Sequence, residues 1–392
     1  MEEINVQQLY ANLLALSDGT NSESFFCKEV ERDGWVYHIF GYHIASYTDF
    51  CHEGALSGRG IMFSLGVREN GKTAPGGSLR IASFPPDKFF NLFENPFTIG
   101  LDPKGFTQAM NKEDGSLIST YLHNGALAVK SKTSLDSDQV KLAEAFLNNT
   151  DTGKLLKLKL DVLTKRGYTV NCELVSPQNR IVLAYPTTTL VVLNVRCNKT
   201  SQTFFQGDHQ DIDRILGIDW VESINIPDGT QEDFIKSVED MEGIEGFVLK
   251  HRTAKGIQLV KYKTKWYQHL HHNKDSIAIP RRLFECIIDE VADDLKAMFH
   301  DDPLSMKTIT DMEEKVLPIF SHMIHMVESF HEANKGLTRK DYAIKGQKEL
   351  GNYFGLGMGL YLGKPSDYKE FAKKHPELFG VKQELVKEVV SE

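Results

Sequence analysis

Lys112 opens the run Lys112-Glu113-Asp114-Gly115-Ser116, in which an Asp-Gly turn leads into the alternating stretch Ser116-Leu117-Ile118-Ser119-Thr120-Tyr121-Leu122. Such a turn presents an amine at the edge of a sheet, where it could act as a nucleophile. The plain alternative is a turn with a lysine beside it by chance. An ordinary lysine has a pKa of about 10.4, so only about one molecule in a thousand is neutral near pH 7.4. Bringing the amine to neutrality near pH 7 takes roughly three pKa units, or about 4 kcal/mol. Burial and nearby cations both act in that direction, so a nucleophilic Lys112 predicts positive side chains close by.

Residues 246–263 supply them. Gly246-Phe247-Val248-Leu249-Lys250 and Ile257-Gln258-Leu259-Val260-Lys261-Tyr262-Lys263 read as a hairpin turning near Thr253-Ala254-Lys255-Gly256. Side chains alternate across a strand, so Lys261 and Lys263 share a face and suit the charge of a phosphate in transit. Lysines that guard a sheet edge are the plain alternative. Glu245, just before the hairpin, could hold Mg²⁺ directly or through water. Glu173, in Val170-Asn171-Cys172-Glu173-Leu174-Val175, could bind a ribose hydroxyl; solvent exposure is its default reading.

The surrounding elements read as α+β. Residues 1–16 form an apolar-striped helix, and strand-like runs occupy 35–40, 60–65 and 189–195. Residues 69–78 read as a turn or exposed loop, and helices are expected around 136–148, 153–166 and 231–241. From Leu283 the period becomes helical, with Phe284, Ile287, Ile288, Val291, Leu295 and Met298 on one face. Gly355-Leu356-Gly357-Met358-Gly359 lacks the preceding strand and following Lys-Ser/Thr of a phosphate loop, and reads as a close helix contact or helix boundary. The division is thus residues 1–268, a larger domain of antiparallel sheets with flanking helices, and 269–392, a small all-helical domain.

Composition narrows the function classes. The chain has 392 residues, a net charge of −9 and five cysteines without a C-x-x-C pair. A protein that coats nucleic acid indiscriminately is disfavoured, because such binding rests on neutralising phosphates. Local basic grooves remain possible at Lys154, Lys157, Lys159, Lys165 and Arg166, and at Lys250, Arg252, Lys255, Lys261, Lys263 and Lys265. The cysteines read as reduced thiols, and neither a secretory signal nor a membrane span is expected. His269, His271 and His272 do not match a zinc spacing.

The ordered set Lys112-x-Asp114-Gly115-Ser116, Glu173, Glu245-Gly246-Phe247-Val248 and Lys261-Tyr262-Lys263 resembles the nucleotidyltransferase motifs of ATP-dependent ligases and capping enzymes. Within them it is most similar to the tRNA-repair type of single-strand RNA ligase of T-even bacteriophages. Supporting stretches are Arg59-Gly60-Ile61-Met62-Phe63, Arg80-Ile81-Ala82-Ser83, Lys88-Phe89-Phe90-Asn91, Asn179-Arg180-Ile181-Val182-Leu183-Ala184-Tyr185, Trp266-Tyr267 and Asp293-Asp294-Leu295-Lys296.

The resemblance implies roles. Lys112 would attack the α-phosphate of ATP and hold AMP as a phosphoramidate. Arg59 and Lys88 would contact the β- and γ-phosphates, with Phe90 supporting them. Glu173 would bind the ribose, Lys261 and Lys263 would stabilise phosphate charge, and Lys132 matches another lysine needed in the family's ATP site. Glu245 would serve Mg²⁺ or Mn²⁺, with Asp293 and Asp294 as further candidates. Leu193 and Val248 would flank the adenine, and Tyr267 matches an aromatic whose role the sequence does not explain.

The implied reaction moves AMP from Lys112 to a 5′-phosphate on single-stranded RNA, and a 3′-hydroxyl then displaces it. The implied partner is tRNA with a nicked anticodon loop, recognised by the helical domain. The implied setting is the cytoplasm of an infected host cell, with the protein as a monomer. The rivals are a DNA ligase or capping enzyme and a non-catalytic RNA-binding protein. The first pair usually continues into a β-rich barrel, whereas helical periodicity follows Tyr267 here. The second is disfavoured because every motif position carries a chemically competent residue.

Overall fold

The computed structural model describes residues 3–69, 72–73, 79–179, 183, 185–253, 256–267, 279–300, 303–364 and 366–381. Four features expected above lie wholly or partly outside them: His269, His271 and His272, the hairpin turn at Ala254-Lys255, most of the loop 69–78, and Arg180-Ile181-Val182 with Ala184. The chain divides into two compact units, Met1–His271 and His272–Glu392.

The first unit holds three sheets. In one, β1 (Phe25–Arg32), β2 (Trp35–Tyr42), β3 (Met62–Glu69) and β4 (Lys72–Thr73) lie in order, and β5 (Arg80–Ser83) also pairs with β3. The pairing of Lys72–Thr73 with Arg68 and Glu69 puts strand structure where the sequence suggested only a loop. The helix α1 (Val6–Ser17) covers this sheet, burying Leu13 and Leu16 with Phe40, Phe63 and Phe90. Its first turn is closed by Asn5, whose side chain accepts a hydrogen bond from the Gln8 amide.

Two more sheets carry the chemistry. One contains β6 (Phe90–Asn91), β7 (Phe106–Asn111) and, after it in sequence, β13 (Ser223–Asn225), β14 (Gly246–Thr253) and β15 (Gly256–Lys263), ordered β13-β7-β14-β15-β6. The other contains β8 (Ser116–His123), β9 (Ala126–Lys130), β10 (Tyr168–Val175), β11 (Thr189–Cys197) and β12 (Thr203–Phe204), ordered β12-β11-β10-β8-β9. Pairing is antiparallel except between β6 and β15.

The helices α2 (Asp138–Asn149) and α3 (Asp151–Lys165) back the β8–β12 sheet. Leu156, Leu160 and Leu163 of α3 are buried there, each worth about 1.5–3 kcal/mol of transfer from water. A short helix, α4 (Gln210–Leu216), adds Ile212 and Leu216 to that core, and α5 (Gln231–Glu239) packs Ile235 and Val238 beside Phe247 and Leu249.

The two sheets are joined by the chain itself. β7 ends at Asn111 in one and β8 begins at Ser116 in the other, so Lys112-Glu113-Asp114-Gly115 is the crossing between them. Register fixes what lies beside it: Asn111 faces Phe247, and Leu117 faces Glu173.

The second unit is helical among its described residues, with helices Pro280–Ile288, Ala292–Met298, Pro303–Asn334, Arg339–Leu350, Phe354–Tyr361 and Tyr368–Lys374. The apolar stripe from Leu283 to Met298 is two helices, not one. The chain breaks at Asp289–Val291, where Glu290 takes a φ of 63°. The glycine-rich run lies in the helix Phe354–Tyr361. There a Cβ on Gly357 would stand 2.5 Å from Leu350 Cδ1, so this glycine serves close helix packing, while Gly355 and Gly359 meet no such close neighbour. No described helix is long and apolar enough to cross a membrane.

Candidate active site

Asp114 fastens the crossing that carries Lys112. It is 2 % exposed; its Oδ2 accepts from the Leu183 amide at 2.7 Å and its Oδ1 accepts from the Tyr267 hydroxyl at 2.9 Å. Its own amide donates to Tyr185 Oη at 2.9 Å, and that hydroxyl donates to Glu113 Oε2 at 2.9 Å. The Lys112 amide donates to the Gly246 carbonyl at 3.0 Å.

Two of the motif residues are glycines because backbones meet here. A Cβ on Gly115 would lie 2.2 Å from the Leu174 carbonyl, and one on Gly246, at φ 145°, would lie 2.1 Å from the Tyr262 carbonyl. Ser116 begins β8 opposite Leu174.

Tyr267 thereby acquires a role that the sequence did not supply: it ties the segment after β15 to the turn that carries Lys112. Tyr267→Phe should cost about 1–3 kcal/mol by leaving a buried carboxylate oxygen short of a donor. A lower melting temperature together with slower modification of Lys112 is the expected result, and an unchanged melting temperature would refute it.

The Lys112 ammonium meets Glu245 Oε1 at 2.7 Å, and Lys263 reaches the same oxygen at 3.2 Å. Glu245 is 2 % exposed, and among the described residues its buried Oε2 has no hydrogen-bond partner. Lysines on one face of β15 were the expected neighbours; the carboxylate between Lys112 and Lys263 is the addition. Lys112, Lys261, Lys263, Arg59 and Glu173 all line one pocket.

Burial raises Glu173 to about 7, Lys112 and Arg59 pull it back, and Glu245 and Glu113 push it further up. The folded protein therefore keeps this proton to higher pH than the unfolded chain, whose ordinary value is 4.5. Stability is lost as pH rises through that window. Glu173→Gln removes the titration, so its melting temperature should gain on that of the native protein between about pH 5 and pH 7. A constant offset across that range would contradict the assignment.

The same pocket has an apolar end. Leu193 of β11 and Val248 of β14 line it from the two sheets, with Met110, Phe205, Val221 and Leu259.

Lys88, Phe90 and Lys132 are not among the residues that line that pocket; they form a cationic and aromatic cluster around Tyr42 of the first sheet. Lys132 Nζ stands 4.2 Å from the Tyr42 ring centre, and Lys88 Nζ stands 5.8 Å from the same ring, 5.7 Å from Phe50 and 5.1 Å from Phe90. Phe90 stacks on Phe97 with centroids 5.1 Å apart, so it supports Lys88 from within the core. Arg59 belongs to both regions: it lines the pocket, and Gly60 next to it touches the Lys132 backbone.

Asp293 and Asp294 lie in the second unit, in the first turn of the helix Ala292–Met298, where the Asp294 amide donates to Asp293 Oδ1 at 3.0 Å. Among the described residues no three His, Cys, Asp or Glu side chains converge as a metal cluster. Glu245 nevertheless fits a hard cation: among the described residues its buried Oε2 has no hydrogen-bond partner, its Oε1 meets Lys112 and Lys263 of the cationic pocket, and Mg²⁺ is commonly held by one carboxylate plus water and phosphate oxygens.

Several lysines proposed as groove-formers have structural partners. Lys159 pairs with Asp219 at 2.5 Å, Lys165 with Asp161 at 2.7 Å and Lys250 with Asp208 at 2.6 Å. Glu113, Phe89 and Asn111 also line the pocket but were not singled out in the sequence. Glu113 stands at the variable position of the motif, where nothing in the residue type marks it.

A family model described as RNA ligase matches residues 57–268, more than half of the chain, and one described as T4 RNA ligase 1, C-terminal domain, matches residues 274–385. The chain belongs to the RNA ligase family. It is an enzyme of that class, and a helical unit rather than a barrel follows its nucleotidyltransferase fold.

A relative from Thermovibrio ammonificans named "Putative RNA ligase" is 27% identical over 280 residues, covering 69% of this chain and 70% of its own. Among solved structures, an archaeal ATP-dependent RNA ligase aligns over 92% of this chain and 82% of its own at 13% identity and a TM-score of 0.45. Naegleria gruberi RNA ligase with pyrophosphate aligns over 49% and 60% at 14% identity and a TM-score of 0.38.

Proposed function

We propose that this RNA ligase uses ATP to adenylylate Lys112 and then joins a 5′-phosphate to a 3′-hydroxyl on single-stranded RNA. The observation that carries this reading is the placement of Lys112 between Glu245 and the pocket lined by Lys261, Lys263, Arg59 and Glu173.

In the first step the Lys112 nitrogen bonds to the α-phosphorus, the bond to the leaving pyrophosphate breaks, and the amine loses a proton. Glu245 Oε1, 2.7 Å away, is within reach of that proton. Arg59, with Lys88 and Lys132, would hold the β- and γ-phosphates and so place pyrophosphate in line with the attack. Lys261 and Lys263 would balance charge on the α-phosphate, Glu173 would accept a hydrogen bond from the ribose, and Leu193 and Val248 would flank the adenine.

Mg²⁺ or Mn²⁺, held by Glu245, would supply charge neutralisation at the phosphates when bound. Asp293 and Asp294 are further candidates for it. In the second step AMP moves to the 5′-phosphate of RNA, and in the third the 3′-hydroxyl displaces AMP. The residues 269–392 would recognise the RNA, and a nicked tRNA in the cytoplasm, met by a monomer, is the natural substrate this reading favours.

The test is transfer of label from ATP, labelled at the α-phosphate, to protein first stripped of bound AMP with pyrophosphate. The labelled protein is then chased with a 5′-phosphorylated single strand of RNA and, separately, of DNA. Label that enters the protein and leaves onto RNA supports the reading. No label on the protein, or discharge onto DNA alone, overturns it.

A further inference from the structure

Lys130 is 0 % exposed at the end of β9, among the largest fully buried side chains of the protein. Its Nζ donates to the Gly60 carbonyl at 2.9 Å and to the Lys132 carbonyl at 3.2 Å. No carboxylate among the described residues pairs with it. Burial alone lowers it to about 7.

A buried amine without a counter-ion is costly, and an apolar side chain of similar length would fill the same space at lower cost. The two carbonyls show what the amine does there. One follows Arg59, and the other belongs to Lys132. The segments that carry them touch: Gly60 has a φ of 94°, and a Cβ on it would lie 2.5 Å from the Lys132 carbonyl. Arg59 lines the nucleotide pocket, and Lys132 shares the Tyr42 ring with Lys88. A single donor that reaches both carbonyl oxygens holds the two segments together, and Lys130 Nζ is that donor.

We propose that Lys130 is a positioning residue that sets Arg59 against Lys132 for the triphosphate end of the nucleotide. The inference rests on the reading of Lys112 as the adenylate acceptor. It touches no substrate atom and acts through the two backbone segments. Its absence should be felt where a β- or γ-phosphate must be held, and little where only AMP is present.

Lys130→Met, which keeps the length and loses the donors, should raise the KM for ATP in Lys112 labelling by about tenfold or more. Sealing of a chemically pre-adenylylated RNA strand in the absence of ATP should stay within about twofold, since that reaction involves no β- or γ-phosphate. Equal losses in both reactions would reduce Lys130 to a part of the general fold, and no change in the KM for ATP would overturn the inference outright. Should Lys130→Met fail to fold, Lys130→Gln retains an amide donor and carries the same comparison with a smaller shift in KM. Failure of the parent reading is separate: the native protein, assayed alongside, would itself take up no label.

Discussion

Lys112→Ala will take up no label from α-labelled ATP, a fall of about 10⁴-fold or more, yet it will still seal a pre-adenylylated RNA strand within about tenfold of the native rate. The asymmetry follows from the chemistry proposed. The Lys112 nitrogen is a reactant when the phosphoramidate forms and when it breaks, and no other lysine sits where it sits. Lys261 and Lys263 belong to β15, and Lys263 is itself engaged with Glu245. In the sealing step the 3′-hydroxyl is the nucleophile and AMP the leaving group, so the lysine nitrogen forms and breaks no bond.

The fold should survive the change. Glu245 keeps Lys263 at 3.2 Å, and the Asp114 contacts with Leu183 and Tyr267 do not involve the Lys112 side chain. Both reactions are read on one preparation of the variant. Loss of both would assign Lys112 a general role in the pocket, and retained labelling would move the nucleophile elsewhere.

Lys112 could be singled out in the sequence as the proposed nucleophile because the residues around it answer to local rules. An Asp-Gly turn before an alternating strand, and a second strand with lysines two apart, are patterns of the chain over a few residues, and β8 and β15 form where those patterns lie. What the turn does was not legible. Its place as the crossing between two sheets depends on β7 pairing with β14, about 140 residues away along the chain, and on β8 pairing with β10. No local pattern encodes such pairings.

Tyr267 is the clearest case: its type and position were visible, but its partner, Asp114 Oδ1, is separated from it by 153 residues. Lys130 was equally visible as a residue and opaque as a part. A lysine in a strand is normally expected at the surface, and only the converging carbonyls of Gly60 and Lys132 show why this one is inside. The helical stripe from Leu283 onward failed differently. Leu283, Phe284, Ile287, Ile288 and Leu295 are buried as their period demands, but the break at Glu290 needs a left-handed backbone that the residue type does not announce.

Glu245→Gln should slow the labelling of Lys112 by about 10²–10³-fold and raise the Mg²⁺ concentration needed for half-maximal rate by about 10–100-fold. The carboxylate has three duties that an amide of the same shape cannot share. Its Oε1 is the anion common to Lys112 and Lys263, in the proposed reaction it would be the base beside the attacking nitrogen, and among the described residues its buried Oε2 has no hydrogen-bond partner. A glutamine keeps the volume and one carbonyl oxygen, so any large effect reports charge rather than packing.

The duties separate by measurement. If Glu245 only clamps the two lysines, Glu245→Gln lowers the melting temperature and leaves the half-maximal Mg²⁺ concentration where it was. If it serves as base alone, the rate falls at every Mg²⁺ concentration by the same factor. A rightward shift of the Mg²⁺ curve, seen together with the fall in rate, is what the orphaned oxygen requires. That oxygen has no hydrogen-bond partner among the described residues, while its twin holds two amines at 2.7 and 3.2 Å. A buried acceptor left in that condition beside a phosphate pocket is costly to maintain unless a cation or its water completes it during the reaction.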